Sequence, residues 1–326
     1  MMKNENSTVD RLIERILAMK NPSVVGIDPD YSKIPACYHG IGGSDGDTLA
    51  AVAAEIEFFG KDIIDAVCDI VPAIKPQMAF YEKYGWAGVR AFERTVAYAK
   101  ERGLVVIEDA KRGDIGNTAY AYAQGHLSDV EVSGGMRVRG YDVDFLTVSP
   151  YLGSESLAPM VDAAVTHGKG IFILVKTSNR SAGEVQDART ARGETVSEMI
   201  ADYVANEAER AVGAYGYSGI GAVVGATYPQ EMRTFRQRMP RSFFLVPGYG
   251  AQGGAAADAV GCFCADGLGA VVNSSRGLLY SHMSEQERAA CTREEYRARV
   301  RAATIHMRDA LLDALRKEYG KTLLYG

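Results

Sequence analysis

The sequence predicts an α/β protein, a single (β/α)8 TIM barrel over residues 1–326, with an N-terminal helix before the first strand and a long C-terminal helix after the last. Eight short apolar runs recur along the chain, nearly every one is followed by a segment of helical periodicity, and no Pro/Ser-rich linker divides them. Polar and charged residues collect at the C-terminal ends of these runs, the face on which barrel enzymes build their sites. A two-domain doubly wound sheet also fits 326 residues but explains the regular spacing less well.

Val9, Leu12, Ile13, Ile16 and Leu17 have helical spacing behind a cap at Ser7 or Thr8, and Asn21-Pro22 stops the helix, which is placed to cover the barrel bottom. The first strand, SVVGID, ends at Asp28. An amphipathic helix from Thr48 to Ile70 leads into VPAIKPQ, a short strand with Lys75 near its end and Pro76 closing it. A lysine there ordinarily snorkels to water. After a helix from Trp86 to Lys100, Gly103 turns the chain into the third strand, which opens the stretch VVIEDAKRGDIGNT.

A helical start at Thr118 to Gly125 follows, then a polar, glycine-containing stretch, 128–142. It is too long for an ordinary connection and is expected to be a surface insertion or a mobile region. DFLTVSP and GIFILVKTSN are strands four and five. Residues 181–194 read as an irregular excursion before a helix from Thr195 to Tyr215, and GAVVGAT, FFLVPG and GAVVNSS complete the eight. From about Thr292 to Tyr319 an amphipathic helix packs through Val300, Ile305, Leu311, Leu312 and Leu315.

Net charge is -5, and the 36 Lys and Arg are scattered without a basic stripe, so nucleic acid is not an expected partner. Five cysteines, an odd number without zinc-ribbon spacing, fit a reducing cytosol. Cys262 and Cys264 form C-x-C, readable as metal-binding but more often a pair of small apolar fillers. The five histidines are dispersed, so no metal site is expected. The opening MMKNENSTVD lacks the apolar core of a signal peptide, and no run approaches the roughly 20 apolar residues of a membrane span. The expected location is cytoplasmic, with no membrane partner.

The third strand carries the chemistry. Asp109 and Lys111 stand two residues apart, on one side of a buried strand, and Asp114 follows three residues later. Buried charges persist only where they satisfy one another or serve a ligand. A plain surface turn, with Asp114 or Asn117 capping the next helix, would also hold such residues, but D-x-K-x-x-D-I-x-x-T is longer than that turn requires. At the other side of the barrel, PGYGAQGG begins at Pro247 after strand seven, and NSSRG with Ser275 and Arg276 closes strand eight. Loops at those two positions frequently hold phosphate through backbone N–H groups. Arg276 offers a planar fork and Gln252 a neutral donor, although a surface ion pair is the plainer role for Arg276. A phosphorylated substrate is predicted.

The signature filled by Asp109, Lys111, Asp114, Ile115 and Thr118 resembles that of the orotidine 5'-monophosphate decarboxylases, the last enzymes of UMP synthesis in de novo pyrimidine biosynthesis. The resemblance runs from Asp28 to Arg276 as separated motifs in matching order, and P-G-x-G-A-Q-G-G is the phosphate loop of the longer bacterial form. It implies conversion of orotidine 5'-phosphate (OMP) to UMP and carbon dioxide by a homodimer that needs no cofactor. Asp28 and Lys75 would contact the ribose hydroxyls, Asp109 and Lys111 would form the catalytic pair, with Lys75 and Asp114 also counted as catalytic, and Lys111, held charged and aimed by Asp109 and Asp114, would donate the proton. Asp114 and Thr118 would cross to the neighbouring subunit, with Ile115 near the base. Ser178 would hydrogen-bond the pyrimidine, and Gln252 and Arg276 would hold the phosphate beside Pro247 and Ser275. Neither 128–142 nor 181–194 has a clear counterpart in shorter members.

Two rivals stand beside this reading. A magnesium-dependent keto-sugar phosphate decarboxylase or hexulose phosphate synthase of the same suprafamily shares D-x-K-x-x-D, but Lys75 and the continuation from Ile115 to Thr118 favour the nucleotide enzyme. A catalytically silent phosphate-binding barrel would gain little from buried like-charged carboxylates.

Overall fold

Eight parallel strands close on themselves in chain order: β1 (Ser23–Ile27), β2 (Ala73–Pro76), β3 (Val105–Arg112), β4 (Phe145–Val148), β5 (Gly170–Lys176), β6 (Ser218–Val224), β7 (Ser242–Val246) and β8 (Ala270–Ser274), with β8 pairing back onto β1. This computed structural model describes residues 7–43, 48–226, 229–249 and 256–325. The strands are short and built of Val, Ile, Leu and Phe because both faces are covered, one by the barrel interior and one by the surrounding helices. Every residue of β1, β6, β7 and β8 is buried. β6 begins at Ser218, earlier than the apolar run suggested, because Val212 bridges to Ser218 and ends the preceding helix, Val196–Ala208, well short of Tyr215.

The helix Thr8–Met19 is capped by Ser7, whose hydroxyl accepts from the Asp10 amide at 3.3 Å. It lies across the N-terminal ends of the strands: Arg11 pairs at 2.9 Å with buried Asp144, just before β4, and the Thr8 amide donates to Gly168 O, just before β5. The expectation of a bottom-covering helix is therefore met. The helix Arg293–Tyr319 starts in a capping box between Thr292 and Glu295. It buries Tyr296, Val300, Met307, Leu311, Leu312 and Leu315, while Ile305 is only partly covered. Arg293 and Arg301 tie it to Asp62 and Asp69 at the end of the helix Leu49–Val67.

Residues 128–142 form a surface hairpin, Asp129–Glu131 against Arg137–Arg139, fastened to the barrel bottom through Asp142, which meets Lys100 at 2.5 Å and Lys169 at 2.9 Å. The 181–194 excursion contains one turn of helix, Ala182–Gln186, and closes with a bridge between Arg189 and Thr195. Among the described residues no helix is long and apolar enough to cross a membrane.

Candidate active site

β3 loses regular pairing at its C-terminal end. Its register with β4 shifts between Glu108 and Arg112, and Lys111 takes a left-handed backbone conformation with φ 51°. Simple strand alternation therefore does not hold there, yet the predicted pair meets: Lys111 Nζ donates to Asp109 Oδ1 at 2.6 Å. Thr147 on β4 secures the bulge, because its Oγ1 accepts from the amides of Ala110 and Lys111, each at 3.0 Å, and donates to Asp109 Oδ1 at 3.0 Å.

On the opposite oxygen, Asp109 Oδ2 accepts from Lys75 Nζ at 2.7 Å and from Gln77 Nε2 at 3.0 Å. Two donors on each oxygen saturate the carboxylate. Lys75 is only 4% exposed, so the expected snorkelling does not occur. At a strand end inside the barrel its ammonium finds a carboxylate sooner than water.

Burial opposes ionisation of Asp109, but the ammonium groups of Lys75 and Lys111 outweigh it and hold the carboxyl well below the usual range. Burial likewise disfavours charge on Lys75, and Asp109 with Asp28 reverses the balance and raises its pKa. Asp28, immediately beyond β1, behaves differently. Burial pushes its pKa up despite Lys75, and its Oδ1 has no hydrogen-bond partner among the described residues. Such an orphaned oxygen on a cavity wall is suited to a ligand hydroxyl.

Asp28, Lys75, Gln77 and Asp109, but not Lys111, border a cavity of about 260 Å³ at the C-terminal mouth of the barrel. Ser178, Pro247, Ser275 and Arg276 are also among the residues that line it. Gly26 permits this closeness, since a Cβ there would fall 1.9 Å from Ser275 Oγ. Arg276 is exposed at the head of a short helix, Arg276–Leu279, and makes no ion pair with any described residue. Gln252 lies outside the described residues, as does the glycine loop from 250 to 255.

Lys111 reaches the cluster from the rim with 47% of its side chain exposed. Asp114, Ile115 and Thr118 do not line the cavity. They sit at the start of the helix Gly116–Leu127, where Asp114 Oδ1 accepts from the Ile115 amide at 2.8 Å and no side chain caps the helix. The alternative in which Asp114 or Asn117 caps is thus not realised. Ile115 points outward, 51% exposed. Ser149, another polar strand end, also stays off the cavity, and its amide donates to Arg112 O at 2.7 Å.

Several site residues escaped the sequence reading. Gln77 and Thr147 hold Asp109. Asn273 lines the cavity and its buried Oδ1 has no hydrogen-bond partner among the described residues, and the Tyr280 hydroxyl donates to Asp28 O at 2.9 Å. Position gave a signal for Gln77, two residues after Lys75, and for Asn273 beside Ser275-Arg276. Elsewhere, Cys262 is buried beside Met232 and burial pushes its thiol up to about 12, as suits a core filler. No group of three or more His, Cys, Asp or Glu that could hold a metal occurs among the described residues.

The sequence pattern of the Orotidine 5'-phosphate decarboxylase / HUMPS family matches residues 54–290. The orotidine 5'-phosphate decarboxylase of Rhodopirellula baltica is 41% identical over 91% of this chain and 96% of its own length, and that of Clostridium tetani is 38% identical over 94% and 98%. The solved structure of Leishmania donovani OMP decarboxylase superposes with a TM-score of 0.66 at 30% identity, covering 96% of this chain and 99% of that one. The pattern covers residues 54–290 and the relatives nearly the whole length, and the chain belongs to the orotidine 5'-phosphate decarboxylase / HUMPS family.

Proposed function

We propose that this protein is an orotidine 5'-phosphate decarboxylase, a carboxy-lyase that converts OMP to UMP and carbon dioxide without a cofactor. The observation that carries the reading is the chain of alternating charges Lys75–Asp109–Lys111, of which Lys75 and Asp109 line a cavity that also presents Ser275 and Arg276, while Lys111 bonds Asp109 from outside that lining. Loss of carbon dioxide from C6 of the pyrimidine leaves its bonding electron pair on that carbon. The Lys111 ammonium stabilises the developing charge and then gives C6 a proton, while Asp109 keeps Lys111 aimed.

At about 4 Å and an effective dielectric near 20, one such charge pair contributes on the order of 4 kcal/mol. Enzymes lower barriers by roughly 8–23 kcal/mol, so further sources are needed. Phosphate held at Arg276 and Gln252, beside Pro247 and Ser275, supplies binding energy far from the reacting carbon. Asp28 and Lys75 take the ribose hydroxyls, and Ser178 takes the pyrimidine ring.

The outward placement of Asp114, Ile115 and Thr118 supports a homodimer in which Asp114 and Thr118 complete the partner's site and Ile115 packs near its base. Exposed Tyr120, Tyr151 and Leu152 extend that surface, and the bond from the Ser149 amide to Arg112 O keeps the loop after β4 beside the one after β3. A cytoplasmic location suits a pyrimidine-nucleotide enzyme with five free thiols.

Saturation of Asp109 by two ammonium groups, an amide and a hydroxyl favours charge stabilisation over the magnesium chemistry of the keto-sugar phosphate enzymes. The deciding test follows OMP absorbance in excess chelator. Undiminished loss of OMP is expected. Absence of that activity, together with magnesium-dependent turnover of a keto-sugar phosphate, would overturn the proposal.

A further inference from the structure

The 181–194 excursion has no place in the chemistry above, and none of its residues lines the cavity. Its side chains nevertheless converge on the end of β5. Gln186 pairs with Thr177 in both directions: Oε1 accepts from the Thr177 amide at 2.9 Å, and Nε2 donates to Thr177 Oγ1 at 2.7 Å. The next residue, Asp187, forms an ion pair with Lys176, whose buried ammonium also meets Glu231 at 3.2 Å.

Far from being a loose loop, the excursion is anchored behind these contacts. Ser197 Oγ donates to Gln186 O at 2.9 Å from the first turn of the helix Val196–Ala208, which begins in a capping box between Thr195 and Glu198. Ser178 therefore follows two residues that are both gripped from outside the barrel. On its inner side Gly225 closes up, since a Cβ there would stand 3.0 Å from Ser178 N and 3.1 Å from its Cβ. Among the described residues the last bond from the neighbouring stretch of chain is Gly225 N to Lys176 O, and at Thr177 the Gln186 side chain takes the backbone amide instead.

We infer that the 181–194 excursion is a bracket, with Gln186 and Asp187 as positioning residues, that fixes Ser178 for selection of the pyrimidine ring. This rests on the reading of Ser178 as the ring contact. The bracket acts on the base end of the substrate alone, because its contacts stop at Lys176 and Thr177 and do not reach the Ser275-Arg276 end.

The test is calorimetric binding of UMP and of ribose 5-phosphate, which lacks the base, to the unaltered protein and to variants. Gln186→Leu should weaken UMP about tenfold, the loss of roughly one hydrogen bond's worth of orientation, and leave ribose 5-phosphate within about twofold. Gln186→Glu should restore part of the UMP affinity, because a carboxylate keeps the bond from the Thr177 amide but loses the donor to the Thr177 hydroxyl, whose proton goes to Asn179 Oδ1. Asp187→Asn should move UMP alone, in the same direction as Gln186→Leu. Equal losses for both ligands would mark a general lesion and overturn the inference. Ser178→Ala separates the two levels. If it loses UMP selectively while Gln186→Leu and Asp187→Asn do not, the bracket fails alone. If it binds both ligands normally, the ring contact fails and the bracket with it.

Discussion

Thr147 holds Asp109 from the neighbouring strand: its hydroxyl donates to Asp109 Oδ1 at 3.0 Å while accepting the two amides of the β3 bulge. One buried hydroxyl thereby links the orientation of the carboxylate to the backbone turn that presents Lys111.

Thr147→Val keeps the shape and removes the hydroxyl, which leaves two amides without their acceptor at a cost of about 1–3 kcal/mol. Denaturant unfolding should show that loss. Turnover should fall by at least about tenfold, with UMP affinity changed far less. Thr147→Ser should recover both properties.

Lys75 and Lys111 share one carboxylate but differ in exposure, 5% against 47% of the side chain, and this separates their dependence on it. Asp109→Ala strands a buried ammonium and should cost about 3–5 kcal/mol. Lys111→Ala removes a rim group and should cost much less. Because the folded pKa of Asp109 is depressed, its stabilisation is present above the unfolded carboxyl value of about 3.9 and is lost as pH falls through the folded one. The deficit of Asp109→Ala should therefore shrink in acid, as unfolding curves at pH 7 and in the acid range will show.

Asp28 has the opposite sign. Its carboxyl is raised by burial, so the folded state holds that proton more tightly, and ionisation at neutral pH opposes folding. Asp28→Asn should raise the thermal midpoint at pH 7, with the gain fading as pH drops below the unfolded carboxyl value. UMP affinity should fall by about tenfold or more, because a charge-assisted bond to a ribose hydroxyl is lost.

If Asp114 and Thr118 serve the partner's site, Lys111→Ala and Asp114→Ala subunits should complement one another. Random pairing gives hybrids in half of the dimers, each with one intact site, so about a quarter of the unaltered activity is expected. Mixtures that exchange subunits and remain inactive would refute sharing.

The barrel was legible because its strands are apolar on both faces and change to polar residues at one end, a pattern that Asp28, Lys75, Asp109 and Arg276 all display. Asp109 and Lys111 were paired correctly from their spacing, although the structure joins them across a bulge. Lys75 received its role in the site only through the family resemblance, because an isolated strand-end lysine ordinarily points to water and its carboxylate lies 34 residues away. Thr147 gave no signal, since a threonine inside a strand is an ordinary β-former and only the bulge opposite gives it a task. The 128–142 hairpin was encoded in D-V-E and R-V-R around Ser133-Gly134-Gly135, but three-residue strands are too short to stand out from a polar loop. The position of Asp114 off the cavity could not be read from spacing alone; only the family resemblance implied that it points elsewhere.

The most direct test of the account measures turnover of OMP and binding of UMP by Lys111→Ala. Decarboxylation should fall by about 100- to 10,000-fold or more, the range of a lost general acid, while UMP binds within a few-fold of the unaltered protein. Activity within about tenfold of the unaltered enzyme would contradict Lys111 as the proton donor.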